Sequence, residues 1–249
     1  MRYAAPGYMK SLVWFIPLGL LALLLSLLLR KRAYKTFPCF FAYVAFAVAA
    51  DVARFLTLDH QRPYFATYWI TEAGYDLLGI LVMYEVVRMV LGSLARARWA
   101  RFIFPVVLVA GVGMSMTRAS VVPSRLGGIE FYIVLGEIAV RFVQVFVFAG
   151  MVTLVPLLGL RWRQYPFGVA TGFGLYATVM LLTTIKFSDF GTTFKLLWGW
   201  TSLVAYSVAV LIWIWFFSVP QKVSTPVPEL SAPSPGDLKQ YKDALRRMR

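Results

Sequence analysis

Glu72 and Asp76 stand four residues apart in the stretch YWITEAGYD, and Glu137 and Arg141 stand four apart in LGEIAVRF, each inside a long apolar run. Residues three or four apart share a face of a helix. Glu137 can therefore pair with Arg141 along one helix, as Asp51 can with Arg54 and Glu85 with Arg88. Glu72 and Asp76 carry like charge and cannot pair with each other; away from bulk water they need a cation between them or a wet vestibule around them. Arg54, Arg141 and Lys195 from other segments are the cations on offer. Such a set suits binding of a small cation or handling of protons. Tyr68, Trp69, Tyr75, Tyr132 and Tyr176 are available as aromatic walls. A plainer reading stands beside this one, in which the pairs only lock helices together and the aromatic residues fill the core or mark an interface.

The rest of the composition says where these groups reside. Of the 249 residues 60% are hydrophobic and only 14% are charged, and the mean hydropathy is +0.71. A soluble domain carries roughly 25% charge, so the chain is expected to be an integral membrane protein. The net charge of +14 does not point to nucleic acid, because the basic residues fall between apolar runs rather than in one patch. A single cysteine, Cys39, excludes an internal disulfide, and with one histidine, His60, little material is left for a metal centre or for His-based catalysis. No catalytic motif stands out, and neither a metal nor a cofactor is expected.

Apolar runs long enough to cross a hydrocarbon core of roughly 30 Å occur at 11–29, 36–57, 65–91, 100–117, 128–159, 166–186 and 194–218. The fourth is the weakest, with glycines lowering its helix propensity. With the N-terminus outside, the inner segments hold fifteen Lys and Arg and the outer segments seven, while Arg54, Arg88 and Arg141 lie within spans. That asymmetry obeys the positive-inside rule. The expected fold is an all-α bundle of seven transmembrane helices over 1–219, N-terminus outside, in a bacterial inner membrane. The Pro- and Ser-rich stretch 220–249 follows as a linker and basic cytoplasmic tail, solvated or in contact with lipid or a partner. Trp198 and Trp200 near one end of the last span, and Trp213 and Trp215 near the other, are read as interface belts. Ala45, Ala49 and Ala53 on the second span, and Gly168, Gly172 and Gly174 on the sixth, are read as packing seams.

In this topology Asp51, Glu72, Asp76, Glu130 and Glu137 all fall in the outer halves of helices two, three and five. An ionised side chain at membrane depth costs at least about 2.5 kcal/mol, so a polar cavity that opens outward is expected between these helices, with Glu72, Asp76 and Glu137 as acceptors and Arg141 and Arg54 tuning their charge.

The residues YFATYWITEAGYD and MYEVVR, spanning Tyr64 to Arg88, resemble a pattern found in uncharacterised bacterial seven-helix membrane proteins whose helix begins YW-x-x-E. That resemblance implies topology and no chemistry. The layout is also similar to the membrane sensor modules of bacterial histidine kinases. A retinal protein is excluded, because its Schiff base needs a lysine in the middle of the last helix and 196–218 has none. The function expected is receptor-like or sensor-like: a small cationic ligand or protons bind at Glu72, Asp76, Glu137, Arg141, Asp51, Arg54, Tyr68 and Trp69, and a separate cytoplasmic partner receives the signal. Proton-coupled transport, and a non-catalytic subunit of a membrane complex, are the alternatives.

Overall fold

In the computed structural model the residues described are 7–91, 100–119, 128–157, 164–190 and 194–219. Within them the chain is all-helical: α1 (Gly7–Arg30), α2 (Pro38–Thr57), α3 (Gln61–Leu91), α4 (Ala100–Thr117), α5 (Ile129–Leu157), α6 (Gln164–Phe190) and α7 (Phe194–Ser218), with one 3-10 turn at Ala33–Lys35. The tail 220–249 and the side chains of Lys195 and Trp198 lie outside the described residues. Four helices contain stretches long and apolar enough to cross a membrane, at Pro38–Thr57, Ile129–Thr153, Tyr165–Thr183 and Trp200–Ser218. The 31-residue α3 is longer than any of these. Its charges keep it out of that group.

Neighbouring helices contact in the order α1, α2, α3, α5, α6, α7 and back to α1, which closes a ring of six. α4 packs outside the ring, mainly on α5. Phe102, Val106 and Val109 of α4 are correspondingly exposed.

Each ring helix buries a stripe at helical spacing. On α2 it is Phe40, Tyr43, Val44, Ala47 and Ala50, so the seam expected at Ala45, Ala49 and Ala53 lies off the core, with Ala49 exposed. The glycine seam on α6 is present and faces two ways. A Cβ on Gly168 or Gly172 would collide with Phe216 or Trp213 of α7, and one on Gly174 with Phe148 of α5. The missing Cβ at Gly172 lets the Trp213 indole N–H reach and donate to the Val169 carbonyl at 3.2 Å. Trp213 is thus a core residue, 1% exposed, where an interface belt was expected. Its rise along the helix fixes depth and not direction; Trp215, two residues on, is 68% exposed. Around Trp213 the rings of Phe40, Tyr43 and Phe173 pack edge-on or tilted, at centroid distances of 5.3, 6.2 and 4.7 Å.

The start of α2 shows how the bundle satisfies a helix end. Pro38 at the first helical position has no N–H to satisfy, and Phe37 before it supplies no side-chain cap. Glu85 of α3 fills that role, its two carboxylate oxygens accepting from the amides of Cys39 at 3.1 Å and Phe40 at 3.0 Å. The expected pairing of Glu85 with Arg88 is not formed: Glu85 is buried and turned toward α2, and Arg88 is exposed. Anionic oxygen at a helix N-terminus is favoured twice, by the unpaired N–H groups and by the helix dipole. The C-terminal ends of α1 and α7 are also joined, Lys31 Nζ donating to the Ser218 carbonyl at 3.2 Å.

Candidate functional site

The far half of the ring, away from Glu85 and Lys31, holds a partly open cavity of about 390 Å³. All six ring helices line it: Pro17 from α1; Tyr43, Asp51 and Arg54 from α2; Glu72, Tyr75 and Asp76 from α3; Glu137, Val140, Arg141 and Gln144 from α5; Tyr176 from α6; and Ser202, Leu203 and Tyr206 from α7. α4 contributes nothing to it, in keeping with its place outside the ring.

Arg54 organises one wall. Its guanidinium leaves Asp51, the expected partner one turn back, and crosses to α3. There it donates to Glu72 Oε1 at 3.0 Å, through Nε to Thr71 Oγ1 at 2.7 Å, and to the Tyr68 carbonyl at 3.4 Å. A second Arg54 nitrogen also contacts Thr71 Oγ1. The guanidinium carbon lies 4.9 Å from the Tyr68 ring centre and 5.5 Å from that of Tyr75, a cation–π arrangement. An interhelical partner prevails over the local one because a planar five-donor guanidinium gains more from several acceptors in one plane than from a single carboxylate on its own helix. Thr71 takes part because its hydroxyl can turn back to the carbonyls of Thr67 and Tyr68 while accepting from Arg54.

On the opposite wall, Arg141 and Glu137 form the expected ion pair along α5. Arg141 is the more deeply placed of the two, with 9% of its side chain exposed against 30% for Glu137. Asp76 reaches toward Gly136: a Cβ there would stand 3.2 Å from Asp76 Oδ2. This glycine leaves room for the carboxylate where α3 passes α5. One turn further on, Gly79 leaves room for Val140 and the Gln144 amide.

Four carboxylates and two guanidiniums therefore face one cavity. Glu72 and Glu137 each have an arginine. Among the described residues Asp51 and Asp76 have neither an ion pair nor a hydrogen bond. Among the described residues, Gln144 Oε1 and the Tyr206 hydroxyl are also buried without a hydrogen bond.

Of the residues picked from sequence, Asp51, Arg54, Glu72, Asp76, Glu137 and Arg141 are brought together here. Tyr68 stands behind Arg54 and off the cavity surface. Trp69 is not at the cavity at all; it packs edge-on against Phe65 and Tyr68, with its indole N–H buried and unpartnered. Among the polar lining residues, Tyr43, Ser202 and Tyr206 were not singled out from the sequence. Their signal was weak, since a tyrosine or serine in a chain with 13 tyrosines looks like many others until neighbouring helices are placed. Comparison with protein-family models, with curated protein sequences and with solved structures finds no match.

Proposed function

We propose that this chain is a seven-helix membrane receptor or sensor, with its N-terminus outside, that binds a small cation in the cavity of the six-helix ring. The observation that carries the reading is the imbalance of charge at that cavity among the described residues: Asp51 and Asp76 face it without an ion pair, while Arg54 and Arg141 are engaged by Glu72 and Glu137. A carboxylate held away from water is stabilised by an arriving positive charge, and a cavity of about 390 Å³ lies within the range of roughly 300–1,000 Å³ common to small-ligand sites. The topology is supported by the charge asymmetry of the loops and by the Lys31–Ser218 contact, which puts the C-terminal ends of α1 and α7 at one end of the bundle, as an odd number of crossings requires. In this reading the cavity belongs to the outer half, and movement of the ring helices carries the signal inward to the basic loops and the tail 220–249, where a separate partner receives it.

Proton-coupled transport is the second reading. What favours it is Asp76, which can take up a proton without breaking an ion pair. The experiment separating the two uses the purified protein in sealed vesicles. Saturable cation binding without uptake, lost when Glu72, Asp76 and Glu137 are neutralised together, is the expected result. Uptake driven by a pH gradient and abolished in Asp76→Asn would replace the receptor with a transporter. Retention of full cation binding by the neutralised triple variant would overturn the cavity as the site.

A further inference from the structure

The C-terminal ends of α1 and α7 meet beside the short connection to α2, and that corner is strongly basic. Arg30, Lys31, Arg32 and Lys35 stand within six residues, all four exposed. Lys31 is engaged locally, its Nζ donating to the Ser218 carbonyl at 3.2 Å, at the negative end of the α7 dipole. Arg30, Arg32 and Lys35 have no ion pair among the described residues. Glu85 is the described carboxylate at this end of the bundle, and the Cys39 and Phe40 amides take up both its oxygens. The corner therefore holds three cations that no described carboxylate answers.

Arg32 adds a separate observation. Its backbone lies in the left-handed region, φ 54° and ψ 31°, and it is the one non-glycine residue with positive φ among those described. The position closes α1: the Lys31 amide donates to the Leu27 carbonyl and the Arg32 amide to the Leu29 carbonyl, both at 3.0 Å. Helices that end this way favour glycine, because a Cβ crowds the following carbonyl oxygen there. An arginine at such a place works against local stability, and a conformation of that kind points to a use for the side chain. The 3-10 turn that follows brings Lys35 one turn beyond Arg32, its amide donating to the Arg32 carbonyl at 3.1 Å. Apolar surface stands beside these charges. Leu29 is 50% exposed and Tyr34 40%, and the Tyr34 ring packs tilted against Phe41 with centroids 5.9 Å apart.

We infer that this corner is a docking site for an anionic phospholipid, its phosphate held by Arg30, Arg32 and Lys35 and its glycerol and first methylenes lying on Leu29 and Tyr34. A guanidinium matches phosphate through paired N–H donors. A phospholipid carries both the charge and the apolar body that this mixed surface complements, whereas a free anion would leave the apolar part unused. The tail 220–249 is repelled rather than attracted, with six Lys and Arg against three Asp and Glu. In the topology proposed above the corner faces the cytoplasmic leaflet, which carries the negative surface potential. The inference is independent of what fills the cavity.

The test uses the full-length protein in detergent, titrated with dioleoylphosphatidylglycerol or with dioleoylphosphatidylcholine, which has the same chains and phosphate but no net charge. Bound lipid is counted by native mass spectrometry, and the thermal midpoint is recorded alongside. The anionic lipid is expected to bind at least about ten-fold more tightly. Each cation near a charged lipid surface is worth about five-fold, so Arg32→Gly is expected to cut the preference by about that factor. The midpoint of the lipid-free protein should stay level or rise, glycine being at ease in the left-handed region. Arg30→Gln with Lys35→Gln leaves the end of α1 as it is and is expected to bring the two lipids within about two-fold of each other; this pair decides the matter should Arg32→Gly fail to fold. Arg62→Gln, in the first turn of α3 at the opposite end of the bundle, removes the same charge and is expected to change nothing. Equal binding of the two lipids, a preference that survives the double substitution, or an equal loss with Arg62→Gln overturns the site. A fall in the midpoint of Arg32→Gly with the preference kept puts Arg32 in the fold and overturns its role. Displacement of the lipid by glycerol phosphate or by octaglutamate at equal concentration overturns a lipid occupant, in favour of a soluble anion or an acidic protein segment.

Discussion

Helix α3 places acidic groups at two depths, and the two sites solve the burial of negative charge in opposite ways. Glu85 is fully engaged: both oxygens accept from the first free amides of α2, and its neighbours Val82, Met83 and Val86 are core residues. About 20 Å away along the same helix, at 1.5 Å per residue, Glu72 shares Arg54 with Thr71 and the Tyr68 carbonyl, while Asp76 has no partner among the described residues. A carboxylate saturated by backbone amides has nothing left to offer a ligand. One that is part-saturated beside an open volume does. The difference separates a buried acid that holds the fold from acids that retain free acceptor capacity, although both places carry a carboxylate on the same helix.

Substitutions can break this comparison. Glu85→Ala is expected to have the largest effect on stability, about 3 kcal/mol, since it strips the buried Phe40 amide and the part-buried Cys39 amide of a charged acceptor. Its thermal midpoint in detergent should fall furthest, and amide exchange at Cys39 and Phe40 should quicken. Glu85→Gln keeps one acceptor and should recover about half of the loss. Glu137→Gln comes next, at about 2 kcal/mol, because it leaves the buried Arg141 guanidinium without its ion pair; the same midpoint measurement checks it. Thr71→Val is expected to cost about 1 kcal/mol, removing a hydroxyl that accepts from Arg54, and to weaken cation binding only slightly. Asp76→Asn should be the mildest, within about 0.5 kcal/mol of the natural protein, yet it should lower cation affinity about ten-fold or more by calorimetry. An Asp76 variant that unfolds as readily as the Glu85 variant would erase the distinction between the two ends of α3.

Much of this arrangement was legible in the sequence, and the failures share a physical cause. Apolar runs located the seven α-helices of the described residues, because length and composition are local properties. Glu137 and Arg141 paired as their spacing suggested. Asp51 with Arg54, and Glu85 with Arg88, had the same kind of spacing and did not pair, because Thr71, Glu72 and the α2 amides offer more from across the interface. That competition exists only once helices are placed side by side. Trp213 was misplaced for a related reason: position along a helix is readable from sequence, whereas the direction a ring faces depends on a gap such as the one Gly172 provides on α6. Tyr43 and Tyr206 went unseen because they acquire meaning only once neighbouring helices bring them to one cavity.

Glu85 has a further consequence when taken together with Arg54. The first binds α3 to the N-terminal end of α2, and the second binds it near the C-terminal end. Only residues 58–60 separate the two helices in the chain. Fastened at both ends and joined by so short a link, α2 and α3 have little freedom to slide or twist past one another. They form a stiff plank. A rearrangement of the ring then falls to α1, α5, α6 and α7 moving against that plank, with α6 and α7 themselves keyed together where Trp213 sits in the notch at Gly172 and donates to the Val169 carbonyl.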